Sequence, residues 1–208
     1  MLEAHRVNVR KEKQQYWIRK DMSVKAPDMF MSIILDGMSQ NITSIPLFRP
    51  RHRKALPVMK HHVVGVLDHG TNTPYFYVCD EGIAKDSNLS VATILWTLRH
   101  HKKPYPPVLF IQADNCWREN KNNSMFALCV LLVFSNVFRE VRMTFLIKGH
   151  THEDIDTLFR MIKEILERHG ALCFEQLLDA INQAFPHSRV DNINYVRPYS
   201  LIISTCAA

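Results

Sequence analysis

The chain has 208 residues, enough for one domain with a sizeable hydrophobic core or for one domain with a small appendage. Apolar residues make up 47% of it, as in globular proteins, and the longest apolar run is too short and interrupted to span a bilayer. The N-terminus lacks the apolar core of a secretory signal, so we expect an intracellular protein with no membrane partner. Five dispersed cysteines without a CxxC pair disfavour a disulfide framework and a cysteine zinc site.

The net charge is +6, and two segments are enriched in basic residues. Residues 1–20 are rich in Lys and Arg, and the stretch 49–62 contains no acid. Basic patches of this kind attract a polyanion such as nucleic acid, although a solubilising surface is the plainer alternative. We expect the second segment to contact phosphate backbone without reading sequence, through Arg49, Arg51, Arg53 and Lys54.

The predicted elements divide the chain into three parts. A basic N-terminal arm or helix at 1–27 precedes a core at 28–187, and residues 188–208 form a C-terminal extension that we leave unplaced. Apolar runs and periodicity predict strands at 29–35, 58–66, 75–79, 108–113 and 141–147, and helices at 89–101, 123–137, 152–169 and 174–184. The helix at 123–137 is apolar enough that we expect it to be buried.

The order of these elements predicts the topology. A turn at 71–74 joins strands two and three as an antiparallel hairpin, and the later alternation of helices and strands predicts parallel strands with right-handed crossovers. We therefore expect an α/β fold with a five-stranded mixed sheet and flanking helices. Strand one should be central, with strand two antiparallel on one side, strand four parallel on the other, and strand five beyond strand four.

Acidic residues stand where functional sites form in such sheets. Asp36 ends strand one and Asp114 ends strand four, so both carboxylates should lie at the carboxyl end of two neighbouring strands. A third acid should come from the last long helix. Glu153 points away from the apolar stripe of that helix, whereas Asp154 and Asp156 lie on its two flanks, and periodicity leaves both in contention.

Clustered carboxylates repel one another and are usually neutralised by cations. Oxygen ligands of this kind suit Mg²⁺ or Mn²⁺, and two such ions about 4 Å apart can activate an attacking oxygen and stabilise a leaving oxygen at phosphorus. Each acid taken alone has a plainer explanation as a turn, cap or first-turn residue of a helix. Their joint placement favours a two-metal site.

Three segments carry a resemblance to a known family: LDGM at 35–38, QADNCWRENKN at 112–122 and GHTHEDIDTLF at 149–159. Over about residues 29–170 the chain resembles an uncharacterised eukaryotic, transposon-derived domain family related to DDE transposases. The resemblance implies a ribonuclease H-like (integrase-like) fold and a nuclear protein. It also implies that Asp36, Asp114 and Asp156 are the catalytic metal ligands, with Asp156 rather than Asp154 as the third acid.

Four residues near these segments are further candidates. His150 lies where the last strand meets the helix and could orient a phosphate, transfer a proton or bond the loop backbone. Glu119 is a candidate accessory acid and Lys121 a candidate phosphate contact, while turn and capping roles are the alternative for this segment. Trp117 could stack on a base or simply pack.

Two functions of different kinds follow. One is a metal-dependent phosphodiester enzyme that acts on nucleic acid, for which we expect DNA, by hydrolysis or strand transfer, as a transposase core or a nuclease. The other is a domesticated, catalytically inactive module that binds nucleic acid or protein. A zinc hydrolase built on His150 and His152 is a weaker third hypothesis, because no third ligand is evident. A homo-oligomer is compatible with each of them.

Overall fold

The computed structural model describes residues 2–47, 57–145 and 154–192. The helices are α1 (Leu2–Lys25), α2 (Gln40–Thr43), α3 (Ser87–His100), α4 (Asn123–Phe134), α5 (Asp154–His169) and α6 (Phe174–Ala184). The strands are β1 (Phe30–Gly37), β2 (His61–Asp68), β3 (Thr73–Asp80), β4 (Val108–Ala113), β5 (Glu140–Phe145) and β6 (Arg189–Asn192). Within these ranges, none of the helices combines the length and the apolar character needed to cross a membrane.

The strands form one mixed sheet in the order β5-β4-β1-β2-β3-β6. Strand β1 pairs antiparallel with β2 and parallel with β4, and β5 is parallel to β4 on its far side. The α/β class and the predicted positions and directions of the first five strands are therefore confirmed. A sixth strand was not predicted: β6 lies in the segment left unplaced and pairs parallel with β3.

Helices cover both faces of the sheet, and the alternation of side chains along the strands divides the core into two layers. Ile33, Leu35 and Ile111 face α3 and α4. Ile34 and Phe76 face α1, α5 and α6. Because successive side chains of β1 point to opposite faces, its even-numbered residues face the α1 and α5 layer.

The basic N-terminal helix α1 packs on the sheet. Tyr16 is buried in the same core cluster as the apolar residues of α5 and α6. Arg19 donates a hydrogen bond from Nη1 to Thr144 Oγ1 of β5 at 2.7 Å. These contacts place α1 across the face that also carries α5.

Helix α4 is buried on one side only, so the prediction that it is buried is wrong for its outer face. Met125, Leu128 and Leu132 point into the core, but the opposite side of the helix exposes Phe126, Val130, Leu131, Val133 and Phe134. A helix that is apolar all round has no periodicity that distinguishes a covered face from an open one. Only the neighbouring elements decide which side is buried.

Local sequence explains where three of the helices begin or end. The Asp86 carboxylate accepts a hydrogen bond from the Asn88 N–H at 2.9 Å and caps α3. The Asn122 side chain accepts bonds from the N–H groups of Ser124 and Met125, both at 3.1 Å, and caps α4. Gly170, with φ of +72°, ends α5 in the left-handed conformation that favours glycine.

Candidate acidic site

The two strand-end acids lie at the same end of the sheet. In the parallel β1–β4 pair, Leu35 is in register with Ala113. Asp36 and Asp114 follow these partners directly, so the two carboxylates leave adjacent strands side by side. This is the carboxyl end of both strands, where open α/β sheets commonly form their sites.

Helix α5 carries the third acid toward this end of the sheet. Asp36 is in register with Gly65 of β2. A β-carbon built on Gly65 would stand 2.8 Å from Phe159 Cε1 and 3.1 Å from Ile155 Cδ1. The missing side chain therefore lets α5 lie close to the sheet beside Asp36. Asp156, one residue after Ile155, is carried on the same turn.

The charges of Asp114 and Asp156 act on Asp36. The pKa of Asp36 is raised from 3.8 to about 6, first by burial and then by the negative charges of Asp114 and Asp156. A hydrogen bond from the Gly37 N–H to Asp36 Oδ1, at 2.7 Å, and the nearby Lys85 ammonium act in the opposite direction. The raised pKa means that burial and the two neighbouring carboxylates together disfavour the charged form of Asp36 more than Gly37 and Lys85 favour it.

The structure separates the two acids of α5 that periodicity left in contention. Asp154 turns toward α1, where its Oδ2 accepts a hydrogen bond from the Tyr16 O–H at 3.1 Å and forms an ion pair with Lys20. The buried His69 ring lies 3.6 Å from the same oxygen. Asp156, not Asp154, is among the charges that raise the pKa of Asp36.

The segment that follows Asp114, which includes the sequence ENKN at 119–122, holds this carboxylate in place. The Cys116 N–H donates to Asp114 Oδ1 at 3.1 Å, and the buried Asn120 side-chain amide donates to the same oxygen. Glu119 Oε2 pairs with Lys85 Nζ at 3.2 Å. Two residues of the motif therefore fix groups around the acidic site, one by binding Asp114 and the other by binding Lys85.

Lys85 belongs to the site but was not predicted. It lies in the turn before α3, in no motif, and only the tertiary structure brings its ammonium close to Gly37. The one available signal was its position two residues before a helix, which is common among surface lysines. Its partner Glu119, predicted as an accessory acid, is engaged with this ammonium.

The other predicted residues of the loop after β4 are near the surface. Lys121 Nζ stands 5.6 Å from the centroid of the Phe145 ring, a cation–π contact that leaves the ammonium at the surface. Trp117 is 75% exposed, so its ring does not serve to fill the core. The remaining candidates lie outside the described residues: Arg49, Arg51, Arg53, Lys54, His150 and His152.

The donor set at this end of the sheet fits Mg²⁺ or Mn²⁺ in its chemistry. It offers carboxylate oxygens, the ligands that these cations prefer, and the charges of Asp114 and Asp156 add to the effect of burial in raising the pKa of Asp36. Among residues 2–47, 57–145 and 154–192, no group of three or more His, Cys, Asp or Glu side chains is already arranged to hold a metal ion. The carboxylates would have to approach one another as a cation binds.

Comparisons with known proteins assign the family and little more. No curated protein matches the chain. Two solved structures that it resembles are crystal structures of NurA, one of them bound to dAMP and manganese, each with 9% sequence identity. The TM-scores are 0.21 and 0.20, and each alignment covers 87% of this chain and 45% of NurA, so the chain spans less than half of that protein. A family model described as a domain of unknown function (DUF7869) matches residues 51–207. The chain therefore belongs to the DUF7869 family.

Proposed function

We propose that the chain is a DDE transposase-like core that cleaves or transfers phosphodiester bonds in DNA, using Asp36, Asp114 and Asp156. One observation carries this proposal: Asp36 and Asp114 leave the two central strands side by side at their carboxyl end, and Asp114 and Asp156 add to the rise that burial causes in the pKa of Asp36. A structural role alone gives no reason to collect like charges at a half-buried position.

The topology agrees with the ribonuclease H-like fold that the sequence resemblance implies. Among the first five strands β2 alone runs antiparallel, β1 is central, Asp36 is the penultimate residue of β1, and Asp114 directly follows β4. The third acid, Asp156, is on the last long helix, α5. This helix packs on the face of the sheet toward which Asp36 points. The same three motifs support a transposon-derived origin of the chain.

The proposed chemistry assigns a role to each group. Asp36, Asp114 and Asp156 would hold Mg²⁺ or Mn²⁺, as two ions. Bound there, these cations supply the positive charge that a phosphodiester reaction needs around phosphorus. Asn120 and the Cys116 N–H orient the Asp114 carboxylate.

Lys85 partly neutralises Asp36 in the protein without metal, since its ammonium lowers the pKa of that carboxyl. His150 is proposed to orient a phosphate or move a proton. The DNA itself would meet the basic residues Arg49, Arg51, Arg53, Lys54 and Lys121.

A second function, the domesticated module that binds nucleic acid or protein without catalysis, is favoured by a different observation. The described acids are not prearranged as a metal-ligand group, and Lys85 with its partner Glu119 already places a cation beside Asp36. A protein that had lost catalytic activity would keep the fold and the basic surface. It would also keep the Lys85 ammonium that partly neutralises Asp36.

Nicking of supercoiled DNA separates the two functions. The catalytic proposal predicts nicking with Mg²⁺ or Mn²⁺ and none with Ca²⁺ or chelator, because Ca²⁺ takes more ligands at longer distances. Asp36→Asn, Asp114→Asn and Asp156→Asn should each abolish nicking, while Asp179→Asn, at an exposed acid of α6, should retain it. Activity that survives in the three site variants would point to a contaminant. DNA binding without nicking in any metal would favour the module.

A further inference from the structure

Helix α4 presents an apolar surface that nothing in the described chain covers. Phe134 is 84% exposed and Phe126 is 70% exposed, and Val130, Leu131 and Val133 lie exposed between them. The twelve residues of the helix include no Asp, Glu, Lys or Arg. Contiguous exposed apolar surface of this kind usually marks an interaction site.

The strand beneath this helix is an edge of the sheet. Strand β5 pairs with β4 on one side and is the last strand in the sheet order, so its other side has no strand partner within the described residues. A groove between α4 and this edge is lined by apolar side chains that include Phe126, Val141 and Phe145, and by the polar residues 120–123. An unpaired edge next to an apolar helix offers backbone hydrogen bonds and apolar burial at the same place.

We infer that α4 and β5 form the interface of a two-fold dimer, and that the occupant is a second copy of this chain. Antiparallel pairing of the two β5 edges would extend the sheet across a two-fold axis perpendicular to it. Because α4 lies over β5, this symmetry places both copies of α4 on the same face, where their apolar sides meet. An isologous interface needs one self-complementary patch, and a charge-free apolar helix face is such a patch.

The charges on the edge strand are arranged for this symmetry. Glu140 and Arg142 are two residues apart and therefore point to the same face of the sheet, away from α4. In one copy they form an ion pair with each other at the surface. When the two-fold axis passes through Val141, Glu140 of each copy stands opposite Arg142 of the other. The intrastrand pair would then be replaced by two cross-strand pairs of opposite charge.

The inferred interface is separate from the proposed chemistry, because it rests on α4 and β5, although the groove reaches Asn120, whose side-chain amide donates to Asp114. The apolar burial sets the affinity and the edge charges set the register. A flexible apolar peptide could use the α4 face, but it would have no requirement for opposite charges at Glu140 and Arg142. The pairing of charges therefore distinguishes a second copy from another occupant.

Sedimentation velocity of the full chain over a range of concentrations tests the inference. The parent should sediment as a dimer, and Val130→Glu and Phe134→Glu should each sediment as a monomer with an unchanged circular dichroism spectrum. The matched control is Leu172→Glu, at a leucine that is 57% exposed just before α6, and it should remain dimeric. A monomeric parent at all concentrations, or a dimer that both α4 variants retain, would overturn the inference.

Charge reversal tests the register. Glu140→Arg alone places Arg opposite Arg and should weaken dimerisation by about tenfold or more. The double variant Glu140→Arg with Arg142→Glu restores opposite charges in both pairs and should regain the parent affinity. A single reversal without effect, or a double variant no better than the single one, would contradict the two-fold pairing of β5.

Discussion

Phe159 of α5 packs directly against Gly65 of β2, with its Cε1 atom 2.8 Å from the position that a β-carbon would occupy on the glycine. Gly65 is also the register partner of Asp36 in the antiparallel β1–β2 pair. The contact therefore sets the height of α5 above the sheet at the residue where the acidic site begins. The absence of a side chain at Gly65 therefore helps to determine where α5 places Asp156.

Gly65→Ala should destabilise the fold, because the added methyl group requires Phe159 and α5 to shift. We expect a loss of about 1–3 kcal/mol in the free energy of unfolding, measured by urea titration. Phe159→Leu in the same chain should relieve the clash, so the double variant should lose less than the sum of the single variants. Gly82→Ala, in an exposed turn, is the control. A Gly65→Ala variant as stable as the parent would mean that the contact does not limit the approach of α5.

The two acids of α5 should respond differently to the same substitution. Asp154→Asn removes the charge that pairs with Lys20, and we expect it to cost about 1 kcal/mol of stability. Asp156→Asn removes a charge that repels Asp36, so without metal we expect it to cost less stability than Asp154→Asn does. Thermal denaturation in chelator measures both. A destabilised Asp156→Asn variant beside an unaffected Asp154→Asn variant would reverse the assignment.

His69 makes the stability of the fold depend on pH. Its ring is buried, with Nδ1 2.9 Å from Ser32 Oγ and Nε2 3.0 Å from Tyr16 Oη. Burial lowers the pKa of His69 from 6.5 to about 4, although the charges of Asp154 and Asp68 favour protonation and that of Lys20 opposes it. Between these two pKa values the unfolded chain binds more protons than the folded chain. The stability that the fold gains from the buried, neutral His69 ring is therefore fully present above pH 6.5 and is lost as the pH falls toward 4.

His69→Gln should be less stable than the parent at pH 7, because it loses part of this hydrogen-bond network. The difference in unfolding free energy should shrink by about 1–3 kcal/mol as the pH falls to 4, since only the parent has a buried imidazole to protonate. His187→Gln, at an exposed histidine, should keep the pH profile of the parent. A constant difference between His69→Gln and the parent across this range would show that His69 titrates alike in both states.

Much of the fold could be predicted because its strands are strong local signals. Strands β1 and β4 are compact apolar runs that end at an acid, and the hairpin between β2 and β3 has a polar turn. Strand β6 has four residues and one aliphatic side chain, so its pairing with β3, not its sequence, defines it as a strand. The sequence wrongly predicts that all of α4 is buried, because the helix is apolar on every side and its pattern does not distinguish the exposed face.

The acidic site could be predicted only in part, for a related reason. Asp36 and Asp114 were predictable from strand ends, because parallel neighbours bring their carboxyl ends together. The partners of Asp154 could not be predicted from the sequence, because Tyr16 lies 138 positions away in the chain. Lys85 likewise approaches Asp36 only through the packing of the turn before α3. Whether the three aspartates hold a metal stays a prediction.

Lys85 should compete with a divalent cation for the acidic site. Its ammonium lowers the pKa of Asp36, because its positive charge stabilises the negative charge of that carboxylate. A bound cation would act on the same negative charge. Lys85→Gln should therefore show a larger Mn²⁺-induced rise in melting temperature than the parent. Lys25→Gln removes a surface ammonium of α1 and should respond as the parent does. An equal or smaller rise for Lys85→Gln would place Lys85 among the groups that assist cation binding.

Direct titration of Mn²⁺ into the chelator-treated protein, followed by calorimetry, tests the central claim that Asp36, Asp114 and Asp156 share one cation site. The parent should bind Mn²⁺, and Asp36→Asn, Asp114→Asn and Asp156→Asn should each weaken that binding by about tenfold or more, because each removes a charged oxygen ligand. Asp154→Asn, two residues from Asp156 but turned toward α1, should bind Mn²⁺ as the parent does. Binding that all three site variants retain, or no binding by the folded parent, would contradict the claim.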